Sequence, residues 1–376
     1  MNGSLFLAWH YLRRNTVLTG VLTAALTLII FLPAVLLLVL DGAARHLMAR
    51  ADSTPLLLGA KGSPLELVLG SIYFHDPAPG IIPKHRADDL RHSQDGLVVP
   101  LHTGRRVRGH PLIGTSAEYF SFRGLEPASG ALNDIPGECV VGAKVARLLA
   151  VAPGDTIDTS DARAFELSEA PLRLQVVGVL KETDSPDDEA LFVDLKTIWI
   201  MEGLGHGHLE EEGHGSASAK YTLITPENLE HFHFHGDQDE FPITAVIVQP
   251  KDLRARALLR DRYVDNSSEV HLVQPAEVME DLLATIVRIR QYVVALVGLV
   301  SLVTLAVVGL VIALSLRLRR GEIETMRKIG CARATVLRIL ACQLGIVILT
   351  SLLLAGLLTA LASAYGEDIL NWLVLS

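Results

Sequence analysis

The chain is poor in sulfur and in rings. Only 3 of its 376 residues are cysteine and only 5% are aromatic. Cys331 falls in a basic segment and Cys342 in an apolar run, which leaves Cys139 alone in the middle of the chain. No disulfide framework can be built there, and the ordinary role for such a cysteine is that of a small buried side chain. Reaction signatures are missing too: there is no G-x-S-x-G, H-E-x-x-H or C-x-x-C. Residues 137–144 (GECVVGAK) have the glycine spacing of a phosphate loop, but Ala143 separates Gly142 from Lys144 and no Ser or Thr follows the lysine. Charge itself is absent from three stretches, residues 17–40, 292–316 and 339–364, which are 24, 25 and 26 residues long.

What is present in place of charge is apolar bulk: half of the residues (50%) are hydrophobic. That composition fits a membrane protein with a large water-exposed part better than a soluble one. At about 1.5 Å per residue the first stretch extends roughly 36 Å, enough to cross a hydrocarbon core of ~30 Å with some tilt. It is too long for a signal-peptide core, and the LVLDGAARH that follows offers a poor cleavage site. A charge at mid-membrane is costly, so Arg317 and Arg338 mark interfaces. Between them lie seven basic residues (Arg317, Arg319, Arg320, Arg327, Lys328, Arg333, Arg338) and two acidic ones (Glu322, Glu324). A short basic loop of this kind sits on the cytoplasmic side.

That assignment orders the chain. Residues 1–16 carry Leu5, Phe6, Trp9 and Leu12 at near-helical spacing and read as a cytoplasmic interfacial helix. Residues 17–40 are the first span, 41–274 an extracytoplasmic domain and 275–291 a stalk helix. Residues 292–316 are the second span, 317–338 the cytoplasmic loop, 339–364 the third span and 365–376 an outer tail too short for a fourth crossing. In the outer domain, Ser63-Pro64-Leu65-Glu66 is a capping-box signature opening a helix. Residues 96–101, 172–180 and 243–250 read as strands, and 142–150 and 254–263 as helices. The expected fold class is an α-helical membrane domain of three spans plus a mixed α+β extracytoplasmic domain, in one lobe or two. No breaker interrupts residues 275–292, so the stalk runs straight into the second span.

Residues 205–240 form an insert holding His206, His208, His214, His231, His233 and His235. The alternation His231-Phe232-His233-Phe234-His235 puts three imidazoles on one face of an extended backbone. His-x-His pairs beside Glu210, Glu211, Glu212, Asp237 and Asp239 suit zinc, nickel or copper. A solvated glycine- and charge-rich loop is the plainer reading of the same residues, and a pH switch the third.

Taken in order, RRGEIETMRKIGCARATVLRILACQLGIVILTSLLLAG, GECVVGAKVARLLAVAPGDTI, LQVVGVLKETDSPDDEALFVDL and GAKGSPLELVLGSIYF resemble the MacB/LolC/LolE/FtsX-type permeases of ATP-binding cassette (ABC) transporters, over nearly the whole chain. The resemblance implies a MacB-like periplasmic domain, an FtsX-like C-terminal membrane domain and a bacterial inner-membrane location. It implies a homodimer served by a cytoplasmic ABC ATPase subunit that carries the ATP and magnesium, with no cofactor in this chain itself. It also implies a coupling helix in the basic loop, built from Glu322, Ile323, Met326, Arg327, Lys328, Ile329 and Gly330. Ile323, Met326 and Ile329 then form an apolar docking stripe, Glu322 and Glu324 favour the helix start, and Arg327 and Lys328 its end. The plainer reading of those charges is that they only enforce topology. The family has four spans where this chain shows three, so a naturally short member and a chain lacking its end both stand.

The expected role is transmission of ATP-driven motion to the periplasm, moving an amphiphile, lipoprotein or peptide, or activating a partner such as a periplasmic adaptor. Membrane lipid is a partner by construction and nucleic acid is not. No charge lies inside a span to mark a hydrophilic path. The rival reading is a membrane-anchored metal or pH sensor; an enzyme ranks last.

Overall fold

The computed structural model describes residues 3–76, 80–159, 172–207, 222–227, 229–263, 269–318, 321, 324–325, 328 and 333–375. They fall into two compact units, Met1–His46 with Leu283–Ser376, and Leu47–Leu282. The helices are α1 (Gly3–Arg14), α2 (Thr16–Asp52), α3 (Pro64–Ile72), α4 (His85–His92), α5 (Glu118–Arg123), α6 (Ala143–Leu149), α7 (Leu195–Met201), α8 (Leu253–Arg262), α9 (Pro275–Leu318) and α10 (Arg333–Leu375).

The first unit is helical. Among the described residues two helical stretches are long and apolar enough to cross a membrane, Thr19–Val39 in α2 and Leu337–Ser363 in α10. In α9 the apolar part so described is Val294–Val307, which is shorter. Pro33 lies inside α2; proline is tolerated in membrane helices where neighbours satisfy the freed carbonyl. α2 and α10 are joined by small polar groups: the Ser351 hydroxyl donates to the Thr23 carbonyl at 3.2 Å, and the Thr27 hydroxyl to the Ser351 carbonyl at 3.5 Å. Small residues let helix backbones approach closely in lipid.

The second unit is mixed. Its strands are β1 (Leu56–Ala60), β2 (Ile82–Pro83), β3 (Gly96–Val107), β4 (His110–Thr115), β5 (Pro127–Gly130), β6 (Glu138–Val141), β7 (Thr156–Asp158), β8 (Leu172–Leu180), β9 (Leu191–Asp194), β10 (Gly205–Gly207), β11 (Thr222–Leu223), β12 (Phe232–Phe234), β13 (Pro242–Ile243), β14 (Ala245–Pro250) and β15 (Val270–Val273). Among the described residues the main sheet runs β11-β8-β6-β9-β4-β3-β14-β1-β15, with β5 and β7 also on β8. The β4–β9, β6–β8 and β8–β11 pairs are parallel and the others antiparallel. β10 and β12 make a separate two-stranded ribbon.

Several local expectations hold. Ser63 caps α3 by accepting the Glu66 N–H at 3.3 Å. β8 occupies residues 172–180 as read, its side chains alternating between buried and half-buried. β3 runs past 101 to Val107 with a bulge between His102 and Arg105. Residues 243–250 are not one strand: Thr244 separates β13 from β14. Its N–H and hydroxyl both donate to Leu101 O, at 2.9 and 3.1 Å, while its hydroxyl accepts the Thr103 N–H at 2.9 Å. That side chain satisfies the backbone beside the bulge at the cost of a regular ladder.

Among the described residues three apolar clusters fill the unit. One gathers Leu57, Val99, Tyr119, Phe120, Phe192 and Met279; a second Cys139, Leu174, Val176 and Ile198; a third Leu56, Val98, Trp199 and Val248. Cys139 is fully buried, and burial pushes its thiol up to about 12, which fits the structural role read from the sequence.

Candidate functional site

The last turn of α2 lies within the second unit and ends in a buried polar lock. Arg50 is only 8% exposed. Its guanidinium donates to both oxygens of Asp187, Nη1 to Oδ2 at 2.5 Å and Nη2 to Oδ1 at 2.8 Å. Nη2 also reaches the Tyr119 hydroxyl at 3.0 Å, and Nε the Ile72 carbonyl at 3.1 Å. Tyr119, in α5, in turn donates to Asp187 Oδ1 at 2.5 Å. Nearby, Arg123 donates to the Ser53 and Thr54 hydroxyls at 2.9 and 2.8 Å, and the Tyr73 hydroxyl donates to the Leu47 carbonyl.

Local sequence explains why Asp187 can wait in a buried position. Pro186–Glu189 is a single 3-10 turn closed by a capping box: Ser185 accepts the Asp187 N–H, and Asp188 accepts the Thr183 and Ser185 N–H groups. Burial pushes the Asp187 carboxyl up, but the Arg50 charge and the bonds from Arg50 and Tyr119 outweigh it and hold the carboxyl below its usual range. Burial raises the Tyr119 hydroxyl well above the ordinary tyrosine value. With both charges neutralised and the carboxylate bound at both oxygens, the arrangement fixes a helix end in register.

The start of α9 is held in the same unit. Met279 is buried, and Val278 and Leu282 pack on the cluster that also takes Leu47, Met48 and Ala51 of α2. The Arg256 guanidinium donates to Gln274 Oε1 at 2.5 Å just before the helix begins. Two helices that carry apolar runs thus enter one apolar cluster of the second unit.

The histidine insert is partly visible. His208 and His214 lie outside the described residues, and so does the side chain of His206. His231, His233 and His235 are exposed while Phe232 and Phe234 are half-buried, but His231 ends a 3-10 turn, Leu229–His231, so the extended stretch starts only at Phe232 and does not carry all three imidazoles on one face. The His233 and His235 rings lie 4.8 Å apart, and His206 stands opposite His233 in the β10–β12 register. Among the described residues, three ligand atoms already close together occur at Glu182, Asp184 and Asp188 rather than among histidines. That acidic trio is engaged elsewhere: Glu182 takes Arg147 at 2.5 and 2.9 Å, and Asp188 closes the capping box.

Of the proposed coupling residues, Glu322, Ile323, Met326, Arg327, Ile329 and Gly330 lie outside the described residues. Lys328 is helical and exposed, and its ammonium is 3.6 Å from Glu324. Sequence reading singled out neither Arg50 nor Asp187. The available signal was an arginine just past an apolar helix and a Ser-Pro-Asp-Asp run, and neither names its partner.

The chain is a membrane-associated protein with apolar spanning helices and a large extracytoplasmic α+β domain. Residues 77–230 match the family model of the MacB-like periplasmic core domain. Among solved structures, the periplasmic region of MacB from Actinobacillus actinomycetemcomitans is similar at 13% identity, covering 61% of this chain and 94% of that one, with a TM-score of 0.36. The extracellular domain of the noncanonic ABC-type transporter YknZ from Gram-positive bacteria is similar at 14% identity, covering 58% of this chain and 98% of that one, with a TM-score of 0.34. No curated protein matches.

Proposed function

We propose that the chain is the transmembrane permease subunit of a MacB/FtsX-type ABC transporter and passes ATP-driven motion to its periplasmic domain. The observation that carries this reading is the Arg50 lock: α2, which holds the apolar stretch Thr19–Val39, ends in a bidentate buried ion pair with Asp187. A helix end fixed in this way moves with the domain that fixes it. The apolar seat of Val278, Met279 and Leu282 gives α9 a comparable hold. The match of residues 77–230 to a periplasmic core domain supports the same reading.

In this proposal residues 17–40, 292–316 and 339–364 are three spans, 317–338 is the cytoplasmic coupling loop and 275–291 the stalk. The periplasmic domain, residues 41–274, is two-lobed. Ile323, Met326 and Ile329 dock on a separate ATPase, flanked by Glu322, Arg327 and Lys328 and ended by Gly330. Two copies work with two ATPase subunits, and the cargo is an amphiphile, lipoprotein or peptide, or the output is activation of a periplasmic partner.

The test is reconstitution with the ATPase encoded beside it. The pair is expected to co-purify, and the chain to change the rate of ATP hydrolysis. Ile323→Asp with Met326→Asp is expected to abolish co-purification, because two carboxylates cannot enter an apolar groove. An ATPase that ignores the parent chain would sink the permease reading. A membrane-anchored metal or pH sensor is the second reading, favoured by the neighbouring His233 and His235 rings; a sensor leaves ATP hydrolysis unchanged.

A further inference from the structure

The helices of the first unit leave a groove between them. Its volume is about 790 Å³, within the range of roughly 300–1,000 Å³ usual for small-molecule sites. α2 supplies Gly20, Thr23, Ala24 and Phe31, and α10 supplies Ile346 and Leu354. These positions fall inside the two apolar stretches, Thr19–Val39 and Leu337–Ser363. From Thr19 to Phe31 the groove rises about 18 Å along α2, at ~1.5 Å per residue. That is close to half of a hydrocarbon core of ~30 Å. The wall is apolar even where threonine lines it. The Thr19 hydroxyl donates to the Leu12 carbonyl at 3.2 Å, the Thr27 hydroxyl to the Ser351 carbonyl at 3.5 Å, and the Thr350 hydroxyl to the Ile346 carbonyl at 2.9 Å. Those hydroxyls are spent on backbone carbonyls, which leaves methyl groups to meet an occupant. A Cβ built at Gly20 meets no atom within 4 Å, so the groove is open there.

One end of the groove has a different character. There Trp9, Leu12 and Arg13 of α1 line it. α1 is packed into the unit, its Ala8 fully buried. Tryptophan is enriched at the level of lipid headgroups, where long basic side chains also place their charge. Arg13 and Arg14 are exposed at this end, and residues 1–40 contain no Asp or Glu. A helix laid into the groove, whether α9 or a helix of a second copy, brings no counter-charge: residues 282–321 and 325–366 contain no Asp or Glu either. A phospholipid of net negative charge meets both demands, with an acyl chain for the apolar wall and a headgroup for the arginine.

We propose that the groove lined by α1, α2 and α10 holds one anionic phospholipid, its acyl chain along Gly20–Phe31 and its headgroup on Arg13. The site stands apart from the permease reading: it requires only that the first unit lie in a membrane. A basic residue at a membrane surface contributes on the order of fivefold in affinity for anionic lipid, so the site selects by headgroup charge while the apolar wall supplies the hold on the chain.

The test uses the full chain purified in detergent, washed free of lipid and titrated with phosphatidylglycerol or phosphatidylcholine, with bound lipid counted by native mass spectrometry. One phosphatidylglycerol per chain is expected, held about fivefold or more tighter than phosphatidylcholine. Arg13→Gln is expected to weaken phosphatidylglycerol about fivefold and to leave phosphatidylcholine unchanged. Arg13→Lys keeps the charge and is expected to bind phosphatidylglycerol more tightly than Arg13→Gln does. Gly20→Leu fills the groove with both arginines intact and is expected to lose the lipid without a lower thermal midpoint, since its side chain enters open space. Equal retention of the two lipids by the parent, full binding by Gly20→Leu, or full binding by Arg13→Gln would each overturn the proposal. So would a lipid-free dimer that Gly20→Leu separates, which would make a second copy the occupant.

Discussion

Removing one side of the Arg50–Asp187 pair leaves the other charge buried without a partner. Asp187→Ala is therefore expected to destabilise the outer domain by about 3–5 kcal/mol, read by chemical denaturation of the full chain. Arg50→Met combined with Asp187→Leu removes both charges and is expected to cost much less than the sum of the single changes. The same pair gives a pH signature. The Asp187 carboxyl is held below its usual range when folded, so its contribution is complete above an unfolded value of about 3.9 and is lost as pH falls through the lower, folded one. The parent is expected to lose stability steeply below about pH 4, and Asp187→Asn to lack that component; identical acid profiles for the two would contradict the assignment. None of this was legible beforehand, because the partners are 137 positions apart in sequence. Cys139 was legible, since a lone cysteine ordinarily serves as a small buried side chain.

Glycines at element boundaries make the next prediction. Gly142 stands between β6 and α6, and a Cβ there would lie 2.3 Å from the Asp187 carbonyl and 2.6 Å from that of Asp188. Gly142→Ala is expected to push on the turn that carries Asp187 and to destabilise by about 1–3 kcal/mol, with a lowered thermal midpoint as the readout. This is also the physical account of the phosphate-loop spacing at residues 137–144: the second glycine makes room for a turn. Long elements with a strong period were readable from sequence, as β8 and the capped α3 illustrate. The two-residue strands β2, β11 and β13 and the break at Thr244 were not, because they exist only through partners brought by the fold. The alternating histidines of the insert were readable as a face only in part, since His231 ends a 3-10 turn; the opposing position of His206 depended on a ribbon register that no local pattern specifies.

At the scale of the molecule, the permease proposal requires stiffness between the membrane and the outer domain. α9 is one helix of 44 residues, and inserting two glycines after Arg290 is expected to break that stiffness. ATPase co-purification should survive the insertion, while ATP-dependent changes in protease sensitivity of residues 47–282 should disappear. Persistence of those changes would place transmission elsewhere. The sheet's pairing also has a consequence for biosynthesis. β1, the first strand made, pairs with β14 and β15, with Leu57 opposite Ile247 and Val273. At roughly 5–20 residues per second, the ribosome needs on the order of ten to tens of seconds to supply those partners after the first apolar helix has left it. During that interval β1 has open edges and Arg50 lacks its Asp187 partner, so the domain stays unfinished. It closes only as α9 begins to emerge, which ties completion of this sheet to the arrival of the helix that follows it.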